Sequence, residues 1–171
     1  MTASDSVLMR GDLEPAVLRR AFAGFPCGVA AIARDSADGP AVLVVSSFTV
    51  GVSQDPPLVM FAVQHSSTTW PDLAHASTLG VSVLGEVHGP QLAQLAAKDR
   101  ARRLDGVSLT TTDSGAVFLD GAPVWLECSI SAVHPAGDHD IVVLQVLGLR
   151  DDESHNPLVW HRSGFTSLAP R

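Results

Sequence analysis

Apolar residues fall in short runs along most of this chain, and the runs have strand rather than helix spacing. The densest stretch joins two of them, residues 41–48, rich in Val, and residues 58–63, across a Ser/Gly/Gln/Asp-Pro-Pro break. Proline has no N–H to give to a sheet ladder, so Pro56 and Pro57 predict that the second strand starts at about Leu58. A further strand is expected from Gly28 to about Ala33, and the turn residues 35–40 predict that it pairs with the 41–48 run as a hairpin. Residues 79–84, the VSLTTT segment beyond Gly106, and residues 124–133, 141–149 and 158–161 continue the β pattern, with turns at Asp120-Gly121 and over residues 135–138.

Helical spacing is rarer. Asp12 is placed to cap a helix running to about Phe22, with Glu14 and Pro15 in its first turn and an apolar face of Leu13, Val17, Leu18, Ala21 and Phe22. Gly24 and Pro26 end it. A short helix is expected from Trp70 to about Ala76, and another over residues 88–98, whose greasy side is Leu92, Leu95 and Ala96. Many short strands with few short helices predict a mainly β fold, a closed or nearly closed antiparallel barrel. Residues 1–11 read as a flexible lead and residues 12–168 as one domain, with no internal repeat.

Each half of the 41–70 stretch ends in small hydroxyls, Ser46-Ser47 on one strand and Ser66-Ser67-Thr68-Thr69 on the other. A hydroxyl rim over an apolar floor suits a ligand with a flat ring and an anionic tail. Composition narrows the partners. The net charge of −7 disfavours nucleic acid, which needs a basic face. A hydrophobic fraction of 46% and a mean hydropathy of +0.22 predict that apolar surface is covered by a second copy, as in a homodimer. No run reaches the roughly 20 apolar residues of a membrane span, and the N-terminus lacks a signal-peptide run, so a cytoplasmic protein is expected. In that compartment Cys27 and Cys128 are expected to be free thiols.

Rival chemistries find little support. Among the seven histidines, His134 and His139 flank Asp138, but no HxH, HExxH or CxxC spacing is present, and His155 or His161 would have to come from a distant segment. No metal site is expected. A G-x-S-x-G elbow and a Rossmann glycine fingerprint are also absent. The segment KDRARR carries four cations in six residues, and the residues leave two roles open: a solvated helix end, or an anion clamp.

Six blocks, in order, FPCGV, SSFTVGVSQDPPLV, HSSTTW, LGVSVLGEVHGPQLAQLAAKDRARRLDGV, AVHPAGDHDIVV and PLVWHRSGF, carry a resemblance that extends from about Leu18 to Leu168. They resemble the flavin reductase-like family, FMN-binding split barrels that serve as reductase partners of flavin-dependent monooxygenases. The resemblance implies an antiparallel, Greek-key split β-barrel with a few short flanking helices. It implies hydride transfer from NADH or NADPH to FMN or FAD, with the reduced flavin passed to a partner monooxygenase. A non-catalytic barrel that holds flavin or haem is the alternative. Cofactor contacts are implied at Val44, Val45, Ser46, Ser47, Phe48, Gln64, Ser66, Ser67, Thr69, Trp70, Arg100 and Arg103, with core packing for Phe48 and helix capping for the 66–69 hydroxyls as the plainer roles. His139, in the block's Gly137-Asp138-His139 turn, is implied as the residue that positions the nicotinamide at the pocket mouth. Cys27 stands where the family usually has Thr. Val42 and Val44 stand where the family often has Gly and Thr, Thr68 where it often has Arg, and His161 where Tyr or Phe is commoner. The first three of these departures imply a flavin that comes and goes as a substrate.

Overall fold

A computed structural model describes residues 11, 13–37 and 39–168. In chain order it runs α1 (Pro15–Phe22), β1 (Cys27–Gly28), β2 (Ala30–Arg34), β3 (Ala41–Val45), β4 (Thr49–Gln54), β5 (Pro57–Gln64), α2 (Trp70–Leu73), β6 (Leu79–Val83), a 3-10 turn (Glu86–Gln91), α3 (Leu92–Leu95), a second 3-10 turn (Arg100–Arg102), β7 (Leu109–Thr111), β8 (Val117–Leu119), β9 (Val124–Ala136), β10 (His139–Asp151), β11 (Val159–His161) and β12 (Gly164–Thr166). The main sheet has seven strands in the order β3-β2-β6-β9-β10-β5-β4, and every pairing in it is antiparallel. This is the mainly β, antiparallel architecture that the sequence predicts.

Strand β2 shows why the pattern there is continuous rather than alternating. Ala30 and Ile32 enter the interior cluster with Val45, Phe61, Val81 and Leu144, while Ala31 and Ala33 enter a second cluster with Leu84, Leu95, Val117 and Leu158. A strand covered on both faces has no polar side to alternate with. Strand β6 lies in the same sandwich, and Gly80 is what lets it pass β8: a Cβ there would sit 2.1 Å from the Val117 carbonyl oxygen. The buried Ser82 hydroxyl accepts the Leu119 N–H at 2.9 Å, so this buried polar side chain of β6 is paired.

Several boundaries differ from expectation. The first helix begins at Pro15, and Asp12 lies outside the described residues, as do residues 1–10 of the predicted lead. The break after Phe48 is itself a strand, β4, whose ladder with β5 is irregular between Thr49 and Ser53, where Gly51 has φ +72°. Its burial pattern is exposed almost throughout, so no hydrophobic period marks it. The helix expected over residues 88–98 is a 3-10 turn followed by a single α-turn, because Gly89 and Pro90 fall inside it. The β9–β10 hairpin runs on to a two-residue Gly137-Asp138 turn, with Ala136 opposite His139. Cys27 and Cys128 are free, and burial pushes the Cys128 thiol up to about 12.

Candidate active site

Among the described residues the outer edge of β3 has no strand beside it, because β3 pairs with β2 alone. Strand β5 pairs with β4 only as far as Thr49↔Met60, which leaves its C-terminal half open on that side. Between these two edges lies a groove of about 710 Å³, the split of the barrel. Its floor is apolar, from Leu43, Val44, Val45, Ala62 and Val63, and its rim carries Ser46, Ser47, Gln64, residues 66–69, Ala96, Lys98, Arg103 and His139. Unpaired strand edges present backbone donors and acceptors in a row, the means by which a heteroaromatic edge is held without a charged side chain.

Ten of the thirteen expected site residues meet in this groove: Val44, Val45, Ser46, Ser47, Gln64, Ser66, Ser67, Thr69, Arg103 and His139. Three do not line it. Phe48 turns to an adjoining apolar depression with Phe22, Phe25 and Cys27. Trp70 lies within the core, edge-on to Phe61 with ring centroids 5.6 Å apart. Arg100 reaches the Thr68 carbonyl at 2.7 Å and pairs with the Asp72 carboxylate. A guanidinium therefore arrives at residue 68 from another segment, in place of the arginine often found there in the family. Thr68, read as part of the hydroxyl rim though not as a cofactor contact, lines the groove too, and sequence reasoning missed Leu43, Ala62, Val63, Ala96 and Lys98. Lys98 was visible as part of the KDRARR run, and Ala62 and Val63 as the end of a strand already assigned; the remainder needed the fold.

The hydroxyls are not equivalent. Ser47 Oγ donates to the Ala62 carbonyl at 3.0 Å and accepts the Ala62 N–H at 2.9 Å, continuing the β4–β5 ladder with a side chain. Ser67 Oγ accepts the Trp70 N–H at 3.1 Å and so braces the turn that leads into α2, whose N-cap residue, Thr69, makes no side-chain capping bond. Thr69, 2% exposed, accepts from Arg103. The backbone N–H groups of Ser66 and Thr68 have no partner among the described residues, and both residues are exposed at the rim. Both N–H groups therefore remain available to an acceptor at this rim.

Arg103 supplies the charge. Its Nε donates to the Ala97 carbonyl at 2.6 Å, and Nη1 donates to the Val42 carbonyl at 2.8 Å and to Thr69 Oγ1 at 2.9 Å. All three acceptors are neutral, so the guanidinium is held in place without being neutralised. Burial and the nearby Arg100 draw its pKa below the ordinary arginine value. Opposite it, His139 donates from or shares Nδ1 with Asp138 Oδ1 at 2.7 Å, and His65 Nε2 lies 3.0 Å from Asp140. The hydrogen bond from His139 and its charge, with His65 beyond, hold the exposed Asp138 carboxyl below the usual carboxylate range. The ring of His139 is thereby fixed through Nδ1, leaving Nε2 as its other polar atom.

An apolar floor, two open strand edges and an unneutralised cation fit a flavin, whose ring is flat, whose pyrimidine edge both donates and accepts, and whose tail ends in phosphate. Comparison with known proteins agrees with this geometry. Residues 22–169 match the family model described as the flavin reductase like domain. A flavin reductase of Pseudomonas putida is 31% identical over 170 residues, covering 99% of each chain. A reductase subunit of a flavin-dependent monooxygenase from Rhodococcus jostii is 26% identical over 97% of this chain and 84% of its own. Among solved structures, the NADH:FAD oxidoreductase of Streptomyces globisporus in complex with NAD and FAD fragments superposes with a TM-score of 0.85 at 29% identity, over 95% of this chain and 98% of that one. By the extent of that family match and the identity to full-length relatives, this chain belongs to the flavin reductase-like domain family.

Proposed function

We infer that the chain is an NAD(P)H-dependent flavin reductase that releases reduced flavin to a partner monooxygenase. When bound, nicotinamide and flavin supply the redox chemistry, two electrons moving as a hydride from the nicotinamide C4 to the flavin N5. The observation that carries the reading is Arg103, a positive charge fixed by neutral acceptors at the rim of an apolar groove.

The protein's own share is placement. Val44, Val45, Ala62 and Val63 exclude water from one ring face, and the open edge of β3 sets the ring's register. Arg103, Lys98 and the free N–H groups of Ser66 and Thr68 anchor the phosphate, with Ser46 and Gln64 as polar neighbours. His139, pinned by Asp138, flanks the groove where a second ring would enter and sets its position; holding two rings about 3–3.5 Å apart is the geometric part of catalysis. It acts as a positioning residue. The flavin's weak tethering, through neutral groups and a few cations, supports a cofactor that exchanges.

The apolar stripe of α1 supports a homodimer. The helix buries no residue within this chain, Phe22 and Phe25 are 69% and 75% exposed, and Val50 and Val52 of β4 are exposed as well. No helix among the described residues is long and apolar enough to cross a membrane, which with two free thiols supports a cytoplasmic setting. The test is oxidation of NADH and of NADPH by flavin-free protein with added FMN or FAD. Flavin-dependent turnover with at least one pair is expected; tight flavin retention with no acceleration by any pair would leave a carrier in its place.

A further inference from the structure

The flavin groove shares a wall with a second one. Past Thr69, a groove of about 690 Å³ opens between the β2–β3 turn and residues 100–104. Arg103 lines both, and its Nη1 ties the Val42 carbonyl on the second side to Thr69 Oγ1 on the first. The partition between the grooves is thus a guanidinium.

Arginines dominate the described lining of the second groove, Asp38 of the β2–β3 turn lying outside the described residues. Its described lining carries Arg34, Arg100 and Arg103 against one carboxylate, Asp72, and that carboxylate is already paired with Arg100. Arg34 donates only to carbonyls, to Asp35 at 2.9 Å and to Asp72 at 3.4 Å, so like Arg103 it is oriented without a counter-charge among the described residues. Pro40, Ala41 and Leu104 supply an apolar wall beside these cations. A single phosphate at the end of a mononucleotide needs only Arg103 and the 66–69 loop. Arg34 and Arg100 on the far side of the partition, with Lys98 on the near side and an apolar wall beyond, match a second phosphate followed by a flat base.

We propose that this groove takes the adenosine diphosphate half of a dinucleotide whose ring half lies in the split, and that Arg34 is the residue that separates dinucleotide from mononucleotide. The proposal rests on the flavin reductase reading. Adenosine diphosphate is common to FAD and to NAD(P)H, and continuity through Arg103 with the flavin phosphate favours FAD.

The test is equilibrium titration of the flavin-free protein with FAD and with FMN, no nicotinamide present, following flavin fluorescence for wild type and Arg34→Ala. FAD is expected to bind at least about tenfold more tightly than FMN, the scale of one charge-assisted phosphate contact, and the variant should bring that ratio to near unity. On wild type, ADP should displace FAD and leave FMN in place, a readout that needs no variant to fold. A second arm measures KM for NADH and NADPH with FMN as acceptor. A rise of about tenfold in Arg34→Ala, with the two flavins bound alike, assigns the groove to the nicotinamide's adenosine diphosphate instead. If Arg34→Ala moves neither the flavin ratio nor either KM, the proposal is wrong while the reductase reading stands. Loss of turnover with both flavins in wild type rejects the reductase reading itself.

Discussion

Ser47 offers the sharpest separation of scaffold from ligand contact. Its hydroxyl both donates to and accepts from Ala62, doing with one side chain what a backbone pair does elsewhere in the β4–β5 ladder. Ser47→Ala removes both bonds at once. The site is exposed, so water meets the freed Ala62 groups, and each lost bond costs its net value of about 0.5–1.5 kcal/mol rather than a full desolvation penalty. The sum is about 1–3 kcal/mol, which for a domain of this size lowers Tm by about 2–12 °C. Thermal unfolding of flavin-free protein, followed by circular dichroism, reads it directly. Ser47→Thr keeps an Oγ and should recover most of the loss. Flavin affinity should weaken in Ser47→Ala as well, since Ala62 and the neighbouring Ser46 line the groove. An unchanged Tm in the flavin-free variant together with weakened flavin binding would refute the bracing role and make the hydroxyl a ligand contact.

Gly80→Ala places a Cβ against the Val117 backbone, which cannot swing aside, and should cost about 3 kcal/mol or more; Gly148→Ala, whose nearest neighbour is Glu127 Cβ at 4.0 Å, should stay within about 0.5 kcal/mol. Denaturant midpoints at constant slope compare the two, and equal midpoints would contradict the close approach. His88, 2% exposed, accepts the Gly85 N–H at Nδ1 and donates from Nε2 to the Asp120 carbonyl, both at 3.0 Å. Burial is the main cause that lowers its pKa below 6.5, with the charge of His155 adding to it. The unfolded chain then binds a proton that the native one refuses, so this contribution to stability is complete above about pH 6.5 and declines as pH falls. His88→Asn keeps an acceptor for Gly85 and should flatten Tm between about pH 7 and 5; a slope equal to wild type would remove His88 as its source.

Hydrophobic period made visible the strands that are covered on at least one face, and left obscure those whose length hydrogen bonding alone sets. β2, β3, β5 and β6 each hold buried residues at regular positions and were legible close to their bounds. β4 is exposed over most of its length and bulged at Gly51, so its Gly, Ser and Asp-Pro neighbours read as a break. β9 runs past its last buried residue, Cys128, to residues 133–136, which are exposed, and β10 runs past Leu144 to residues 147–151, which are exposed as well, so that no burial period marks where either strand ends. The site followed the same division. Contiguous stretches at residues 44–47 and 64–69 announced themselves, whereas the use of each hydroxyl depends on what lies across the groove: Ala62 for Ser47, the Trp70 N–H for Ser67 and Arg103 for Thr69.

An open sheet edge is ordinarily a hazard, because a row of unpaired N–H and C=O groups recruits other strands. Here the edge of β3 is guarded by what surrounds it. Ser47 clamps one end of the split to β5, and at the other Arg103 takes the Val42 carbonyl, so that the edge is fixed at both ends and open only between them. The gap that remains is floored by valine and alanine and bordered by a cation with no carboxylate partner, which disfavours an incoming strand and favours a flat anion. On the proposed function, the same arginine that guards the edge of β3 would also select what fills the split. This joins the fold and the chemistry in one residue: Arg103 could lose its charge and still be replaced sterically, but the groove would then be a bare sheet edge, with neither protection from aggregation nor a reason to prefer a nucleotide.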